Sequence, residues 1–394
     1  MKGLLSMTQF PQKTGKNYDI EILRGFAILF TVALHCTVLL PSTYFLPVVL
    51  QHFDLSVGVD LFLVISGYVI TGSVLESMRC HYGTKHTLLF AFWIKRIYRL
   101  LPAAWAWVVL AFLCQMTISF TTDTQYDLQD SLIRVAAALS NTMNLYMPYC
   151  IANAGAESCI LENYLGHYWS LSLEEQFYIV LPLLLLFVAK RFLIALLVVV
   201  VLIQFMWFRP FFSFAWYLKS DALCWGVLLA LFSKTHLYRI CQPKIDANKY
   251  IYPLAGLAVL ILLPLIGSRI QGVGHDMQPY GVATVAAICA CIVWMATFEG
   301  HIYNIGGLYS KIMLYFGSRS YSLYLSHLIV FSAARDFGER LSESGSNESS
   351  IVSLCVPLIL ALLSSELTYR FIETKFRSRG RHIAEKMMST RYPR

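Results

Sequence analysis

The residues of this chain that could do chemistry lie in otherwise apolar stretches. Residues 21–35 read E-I-L-R-G-F-A-I-L-F-T-V-A-L-H, with Arg24 and His35 eleven positions apart. At about 100° per residue that spacing is about 20° from three full turns, so both side chains project from one helical face, about 16 Å apart along the axis. Ionisable side chains are expensive in hydrocarbon and tend to face a polar cavity, where they mark a functional site. A histidine there suits proton transfer near neutral pH, which is the chemistry needed to activate a hydroxyl.

Three more clusters share this character. Asp60 opens the second apolar stretch, at about the depth His35 has at the end of the first if the two form an antiparallel hairpin. A carboxylate beside a histidine fixes its tautomer and raises its basicity, although the same pair can also simply tie two helices together. Residues 167–182 read H-Y-W-S-L-S-L-E-E-Q-F-Y-I-V-L-P. Ser170, Glu174 and Tyr178 fall at spacings of four and share a face with His167, while Glu175 points about 100° away. Residues 315–327 read Y-F-G-S-R-S-Y-S-L-Y-L-S-H, which puts Ser320, Tyr324 and His327 on one face. Lys95, Arg96 and Arg99 precede Pro102 at the start of the third apolar stretch. They read either as a membrane-edge anchor or as an anion site, for which the planar arginine fork is suited.

Other chemistries lack their signatures. There is no phosphate-binding G-x-x-x-x-G-K-[ST] loop, no H-E-x-x-H, no G-x-S-x-G, and no histidine followed five residues later by aspartate. The ten cysteines give no metal spacing, so no metal site is expected. Cys150 and Cys159 share a loop, where a disulfide is permitted if that face is oxidising.

The elements that must position these residues are membrane helices. Of 394 residues, 57% are hydrophobic and 14% charged, and the mean hydropathy is +0.59, which points to an all-α polytopic membrane protein. Apolar stretches of spanning length fall at 20–40, 54–76, 100–119, 168–188, 191–208, 214–232, 250–267, 281–298, 312–333 and 351–372, about ten transmembrane helices. With the N-terminus inside, 23 of the 31 Lys and Arg residues fall in cytoplasmic segments and six outside, which supports both termini being cytoplasmic. The net charge of +8 is thereby a membrane-edge feature, and no nucleic-acid partner is expected. The expected organisation is a cytoplasmic segment 1–19 without a removable signal peptide, one membrane domain 20–373 and a basic cytoplasmic tail 374–394. In the largest external segment, 130–145 is expected to form a short amphipathic helix and 158–166 a loop. Residues 342–350 are expected to form a flexible turn.

Taken together and in order, these motifs resemble the acyltransferase 3 family of multi-pass membrane proteins, which move acyl groups onto sugars of surface glycans. The matches are Y-D-I-E-I-L-R-G-F-A…H at 18–35, G-V-D-L-F-L-V-I-S-G-Y at 58–68, R-I-Y-R-L-L-P at 96–102, H-Y-W-S-L-S-L-E-E-Q-F-Y at 167–178, D-A-L-C-W-G at 221–226 and S-Y-S-L-Y-L-S-H at 320–327. The resemblance implies that Arg24 and His35 are the family's first-helix pair, that Asp60 and Glu174 are its motif carboxylates, and that Arg96 and Arg99 stand at the acyl-CoA side. Lys219 replaces an arginine usual before D-A-L, which keeps the charge but loses bidentate contact. Leu328 and Ile329 stand where a proline is usual. No hydrolase-like domain follows the membrane domain, so the two-domain subtype is not expected.

The implied activity is O-acyl transfer, O-acetyl transfer first of all, in the cell inner (plasma) membrane. The donor substrate would be cytosolic acetyl-CoA or another acyl-CoA, with no bound cofactor. The acceptor would be a glycan or lipid-linked sugar. His35, oriented by Asp60, is expected to be the general base, and Glu174 to orient substrate or share the proton. Ser170 or Tyr178 would bind the developing oxyanion, Arg24 the donor, and Arg96 and Arg99 its phosphates, with Tyr324 and His327 lining the substrate site. A transporter or flippase of a glycan precursor would also bury His, Asp and Glu, but no internal repeat is visible. A non-catalytic partner of a glycan-modifying complex is the third reading.

Overall fold

The structure, a computed structural model, describes residues 17–39, 52–80, 84–122, 128–161, 163–242, 251–271, 278–298, 302–343 and 350–390, and among them every regular element is helical. Helix α1 (Tyr18–His35) starts where the Asn17 side chain accepts the Ile20 N–H at 3.1 Å, with Asp19 and Glu21 in its positively polarised first turn. It passes into a short 3₁₀ turn, Cys36–Leu39. Then follow α2 (Val57–Cys80), α3 (Lys85–Thr122), α4 (Leu128–Leu139), α5 (Met143–Ala154), α6 (Ala156–Leu161), α7 (Tyr168–Phe187), α8 (Lys190–Met206) and α9 (Ser220–Phe232). The chain continues through α10 (His236–Ile240), α11 (Ile251–Gln271), α12 (Gly281–Thr297), α13 (Gly307–Glu343) and α14 (Ser350–Thr368). A π turn, Tyr369–Glu373, then leads into α15 (Thr374–Thr390).

Each of the ten apolar stretches falls on a helix. Among the described residues six helical runs are long and apolar enough to cross a membrane: Tyr18–Leu39, Val57–Arg79, Lys85–Ile118, Tyr168–Phe187, Pro253–Gln271 and Val352–Ser389. Ser220–Phe232 and Gly281–Thr297 are apolar but shorter. The sixth stretch loses its first residues because 209–219 folds into turns that bury Arg209 and Lys219. The third gains a long extension, since the helix begins at Lys85 and runs through Pro102.

Two crossings place the site. In one, α1 and α13 run parallel in close contact: a Cβ on Gly317 would stand 2.0 Å from the Glu21 carbonyl oxygen, and one on Gly25 would stand 2.6 Å from that of Met313. In the other, Gly67 of α2 and Gly226 of α9 bring backbones together, each Cβ position lying 2.2 Å from a carbonyl oxygen of the other helix. Without an apolar solvent difference to drive them, membrane helices associate through such close packing of small residues. Asp19 secures the first crossing, its carboxylate accepting the backbone N–H groups of Ile302, Tyr303 and Asn304 at 3.1, 3.1 and 2.8 Å.

The segment between α3 and α7 departs from expectation in detail. Residues 130–145 do not form one helix; α4 ends at Leu139 and α5 begins at Met143, with Asn141 at φ 55° making the break. Part of 158–166 is helical, in α6. Cys150 and Cys159 form a disulfide. Asn141 and Asn144 donate to Glu175 and Gln176 of α7 at 2.7 and 3.2 Å, so these two carry the loop and leave Glu174 to the interior. Tyr164 donates to Asp336 at 2.5 Å, and burial beside that carboxylate pushes its phenol up. The tail is also more than a tail, because α15 folds back onto α3 with Gly380 against Tyr98 and Ala384 fully buried. Most of the expected turn at 342–350 lies outside the described residues.

Candidate active site

His35 sits at the last position of α1, where the parallel run of α13 brings His327 beside it. His35 Nδ1 lies 2.8 Å from His327 Nε2, and the ring centroids are 5.0 Å apart. The other nitrogen of His327, Nδ1, is 2.9 Å from the Leu323 carbonyl oxygen. A carbonyl only accepts, so His327 Nδ1 carries the proton. In an uncharged ring that leaves Nε2 as an acceptor, and His35 Nδ1 must be the donor. His35 is thereby held in the tautomer whose Nε2 has a free lone pair. The arrangement has the logic of a base oriented by a second group, with a histidine tied to backbone in the place a carboxylate often takes.

Asp60 does not supply that orientation. Its Oδ2 accepts from Lys219 Nζ at 3.0 Å, and both side chains are fully buried. Helices α1 and α2 do not form the symmetric hairpin that would bring Asp60 to the depth of His35. A Cβ on Gly58 would meet the Ala27 carbonyl oxygen at 2.6 Å and Thr31 Oγ1 at 3.1 Å, so the start of α2 lies beside residues 27–31. Moving on to Asp60 therefore leads away from His35 and toward α9. Lys219 offers one contact, with its ammonium also 4.8 Å from the Trp216 ring, and Asp60 Oδ1 has no partner. A second buried ion pair stands nearby in sequence, Arg209 on Asp221 with bonds of 2.9 and 2.7 Å.

Helix α7 supplies the middle of the site. Glu174 receives the hydroxyls of Tyr178 and Ser66 on one carboxylate oxygen. Ser170 Oγ lies 2.5 Å from the Tyr324 hydroxyl, which donates to the His167 carbonyl oxygen at 2.9 Å. Ser170 Oγ is also 3.5 Å from that carbonyl oxygen, so its proton goes either to Tyr324 or to His167 O. The two hydroxyls expected to hold an oxyanion, Ser170 and Tyr178, thus donate within the protein in this state. The Tyr324 ring lies 5.6 Å from His327 and 5.4 Å from His167, so it stands between the histidines and the space beside Glu174.

That space is a cleft with a cavity volume of about 100 Å³. Its walls include Arg24, Arg96, Arg99, Ser170, Glu174, Tyr178 and Tyr324, seven of the ten residues given a role in the expected chemistry, and Ser320 beside them. Arg24 donates to Ser320 at 2.9 Å, with Glu21 at 3.8 Å. The Arg96 guanidinium lies 5.4 Å from the rings of both Phe92 and Tyr178, and Arg99 Nε has no hydrogen-bond partner. The cleft therefore has a cationic end with unspent donors and a hydroxyl-rich end that abuts the histidine pair. His35 and His327 lie behind Tyr324 rather than in the wall, and Asp60 belongs to a separate strut.

Two residues of this arrangement went unassigned in the sequence. Ser66 lies in the G-V-D-L-F-L-V-I-S-G-Y motif, and its link to Glu174 crosses between helices, which no spacing reveals. His167 is 3% exposed, its ring is 5.3 Å from that of His327, and neither ring nitrogen has a hydrogen-bond partner. Its position one face-turn from Ser170 and Glu174 was visible. No group of His, Cys, Asp and Glu suited to a metal ion occurs among the described residues.

Comparison with known proteins gives a consistent picture. The acyltransferase 3 family model, an acyltransferase domain, matches residues 17–370. O-acetyltransferase OatA of Staphylococcus aureus (strain NCTC 8325 / PS 47) is 28% identical over 377 residues, covering 92% of this chain and 57% of that protein. Putative O-acetyltransferase SACOL0978 of Staphylococcus aureus (strain COL) is 30% identical over 343 residues, covering 82% of this chain and 53% of its own length. The chain thus spans little more than half the length of these relatives. No solved structure matches.

Proposed function

The chain belongs to the acyltransferase 3 family and is a multi-pass membrane protein, and from that premise we propose that it is an O-acetyltransferase. In this reading it moves an acetyl group from cytosolic acetyl-CoA to a hydroxyl of a cell-surface or secreted glycan. It would sit in the cell inner membrane with both termini in the cytoplasm. One observation carries the reading: a single cleft joins three arginines to a hydroxyl-rich wall that abuts a histidine held in the tautomer of a base.

The chemistry runs as follows. Arg96 and Arg99 hold donor phosphates through charge-assisted bonds, and Arg24 steadies the donor farther along. His35 Nε2 takes the proton of the acceptor hydroxyl as its oxygen attacks the thioester carbon. The carbon–sulfur bond breaks, and His35 returns the proton to the departing thiolate. The products are the acetyl ester and CoA with a free thiol, so atoms and charge balance. His327 supports the imidazolium that forms in between. Glu174 holds the Tyr178 and Ser66 hydroxyls at the substrate wall. For Ser170 or Tyr178 to serve the oxyanion, substrate must displace their present partners, Tyr324 and the His167 carbonyl for Ser170 and Glu174 for Tyr178.

The test is label transfer from radioactive acetyl-CoA to glycan in membranes that contain the protein or its His35→Ala variant at equal abundance. Label with the wild type alone supports the reading. Equal label with both removes His35 as base, and no label with either, in the presence of the native acceptor, removes the acetyl-CoA reading.

A further inference from the structure

This inference rests on the acyl-CoA reading and concerns α15, which begins at Thr374, beyond residue 370 where the family match ends. Its contact with α3 is close. A Cβ on Gly380 would stand 2.5 Å from Tyr98 Cβ and 3.3 Å from the Ile94 carbonyl oxygen. Glu373, Gly380 and Ala384 are buried, so the side through positions 380 and 384 is turned to α3, with Arg377 and Arg381 at its border. Tyr98 lies between Arg96 and Arg99, and this contact therefore sets α15 beside the cationic end of the cleft.

The two helices run antiparallel, and like charges meet across them. Arg377 is close enough to Arg99 and Arg24 for their charges to act on one another, and Arg381 is likewise close to Lys95. Opposing charge is sparse. Glu373 accepts from Ser322 at 2.8 Å and acts on Arg377, Glu174 acts on Arg96, and Glu385 acts on Lys95, three carboxylates against the five cations. Among the described residues no carboxylate lies within ion-pair distance of Lys95, Arg96, Arg99, Arg377 or Arg381. Like charges brought together repel, and a tight glycine contact that forces them together calls for a polyanion to offset the repulsion. Arg377 and Arg381 are exposed and one turn apart.

We propose that Arg377 and Arg381, facing Arg99 and Lys95, form an anion site for the 3′-phosphate on the adenosine of acyl-CoA, the end of the donor farthest from its thioester. Arg96 and Arg24, deeper in the cleft, are left for the diphosphate and the arm beyond it. The helix after the family domain is then part of donor recognition.

Equilibrium binding of CoA and of 3′-dephospho-CoA to the full-length protein in neutral-lipid nanodiscs tests this, because it needs no acyl transfer. The wild type should bind CoA more tightly by about tenfold to a hundredfold, the worth of one or two charge-assisted contacts. Arg377→Gln with Arg381→Gln should erase that preference while leaving 3′-dephospho-CoA binding unchanged. Arg379→Gln, on the exposed side of the same helix, is the folding control and should keep the preference. Equal binding of both nucleotides by the wild type, or a preference that survives in the double variant, overturns the proposal. So does a double variant whose only defect is lost response to anionic lipid, which would make α15 a headgroup contact instead. Tight CoA binding without acetyl transfer would overturn the proposed activity and leave this site standing.

Discussion

The strongest consequence of the histidine pair concerns His327, a positioning residue with no place in the cleft wall. In His327→Ala the Nδ1–H of His35 loses its histidine acceptor, the ring keeps only its backbone contact to Thr31, and its hold on the tautomer whose Nε2 carries the lone pair weakens. Leaving a buried donor unmatched costs about 1–3 kcal/mol, and the loss is greatest when His35 becomes imidazolium in the transition state. That range corresponds to a roughly 5- to 150-fold fall in kcat. The arginines proposed to meet the donor are untouched, so the KM for acetyl-CoA should hold. His327→Gln is the informative partner, because its amide oxygen can accept from His35 Nδ1 and should restore part of the rate. The assay is initial-rate acetyl transfer in membranes, normalised to protein abundance. Wild-type kcat in His327→Ala would refute the tautomer argument. So would equal loss in the alanine and glutamine variants, which would make His327 a matter of volume alone.

Other perturbations test the frame around the site. Lys219→Met leaves the Asp60 carboxylate buried and unpaired, which should destabilise the protein by about 3–5 kcal/mol, whereas adding Asp60→Asn should recover much of it; thermal unfolding in detergent reads both, and an unchanged midpoint in the single variant would sink the strut assignment. Asp19→Ala strands three backbone N–H groups at the start of the segment leading to α13, and should lower both the unfolding midpoint and the acetyl-transfer rate; loss of neither would separate that anchor from the histidine pair. Gly67→Ala places a methyl where the Leu223 carbonyl already lies 2.2 Å away, so α2 and α9 must part, with a penalty of about 1–3 kcal/mol or more visible as lower abundance.

Much of the site was legible because helical spacing carries face information. Ser170, Glu174 and Tyr178 share one wall of the cleft, as their spacing of four requires, and Arg24 looks into the same space. Spacing does not carry the offset between two helices, and that is where Asp60 was misplaced. A pairing by depth needs the exit point of each helix, which a run of apolar residues does not mark. The His35–His327 contact was likewise out of reach, because it joins positions 292 apart through the parallel packing of α1 and α13. The docking of α15 was missed for a different reason. Its many cations read as a solvated tail, and the one residue that permits close packing, Gly380, has no meaning until its neighbour is known.

The buried polar residues of this protein divide by what remains of their bonding capacity. Arg209 and Asp221 meet in a two-pronged pair, and Lys219 spends its charge on Asp60, so these hold helices in place and have little left for a ligand. Arg96 and Arg99 border the cleft with Glu174, yet among the described residues no carboxylate stands within ion-pair distance of either, and His35 keeps Nε2 outside the histidine pair. Charge buried in a membrane is costly in either setting, and only in the second does a ligand offset that cost. The D-A-L motif and the first-helix motif, both equally polar in sequence, belong to opposite classes on this measure. The departure at Lys219 fits the first class: an ammonium can sustain a strut, as the bond to Asp60 Oδ2 shows, but leaves Oδ1 unmatched where an arginine would reach both oxygens. Lys219→Arg should therefore raise the unfolding midpoint, if the ring of Trp216 can yield the space, and leave the rate of acetyl transfer alone. A changed rate with an unchanged midpoint would place that motif with the chemistry instead.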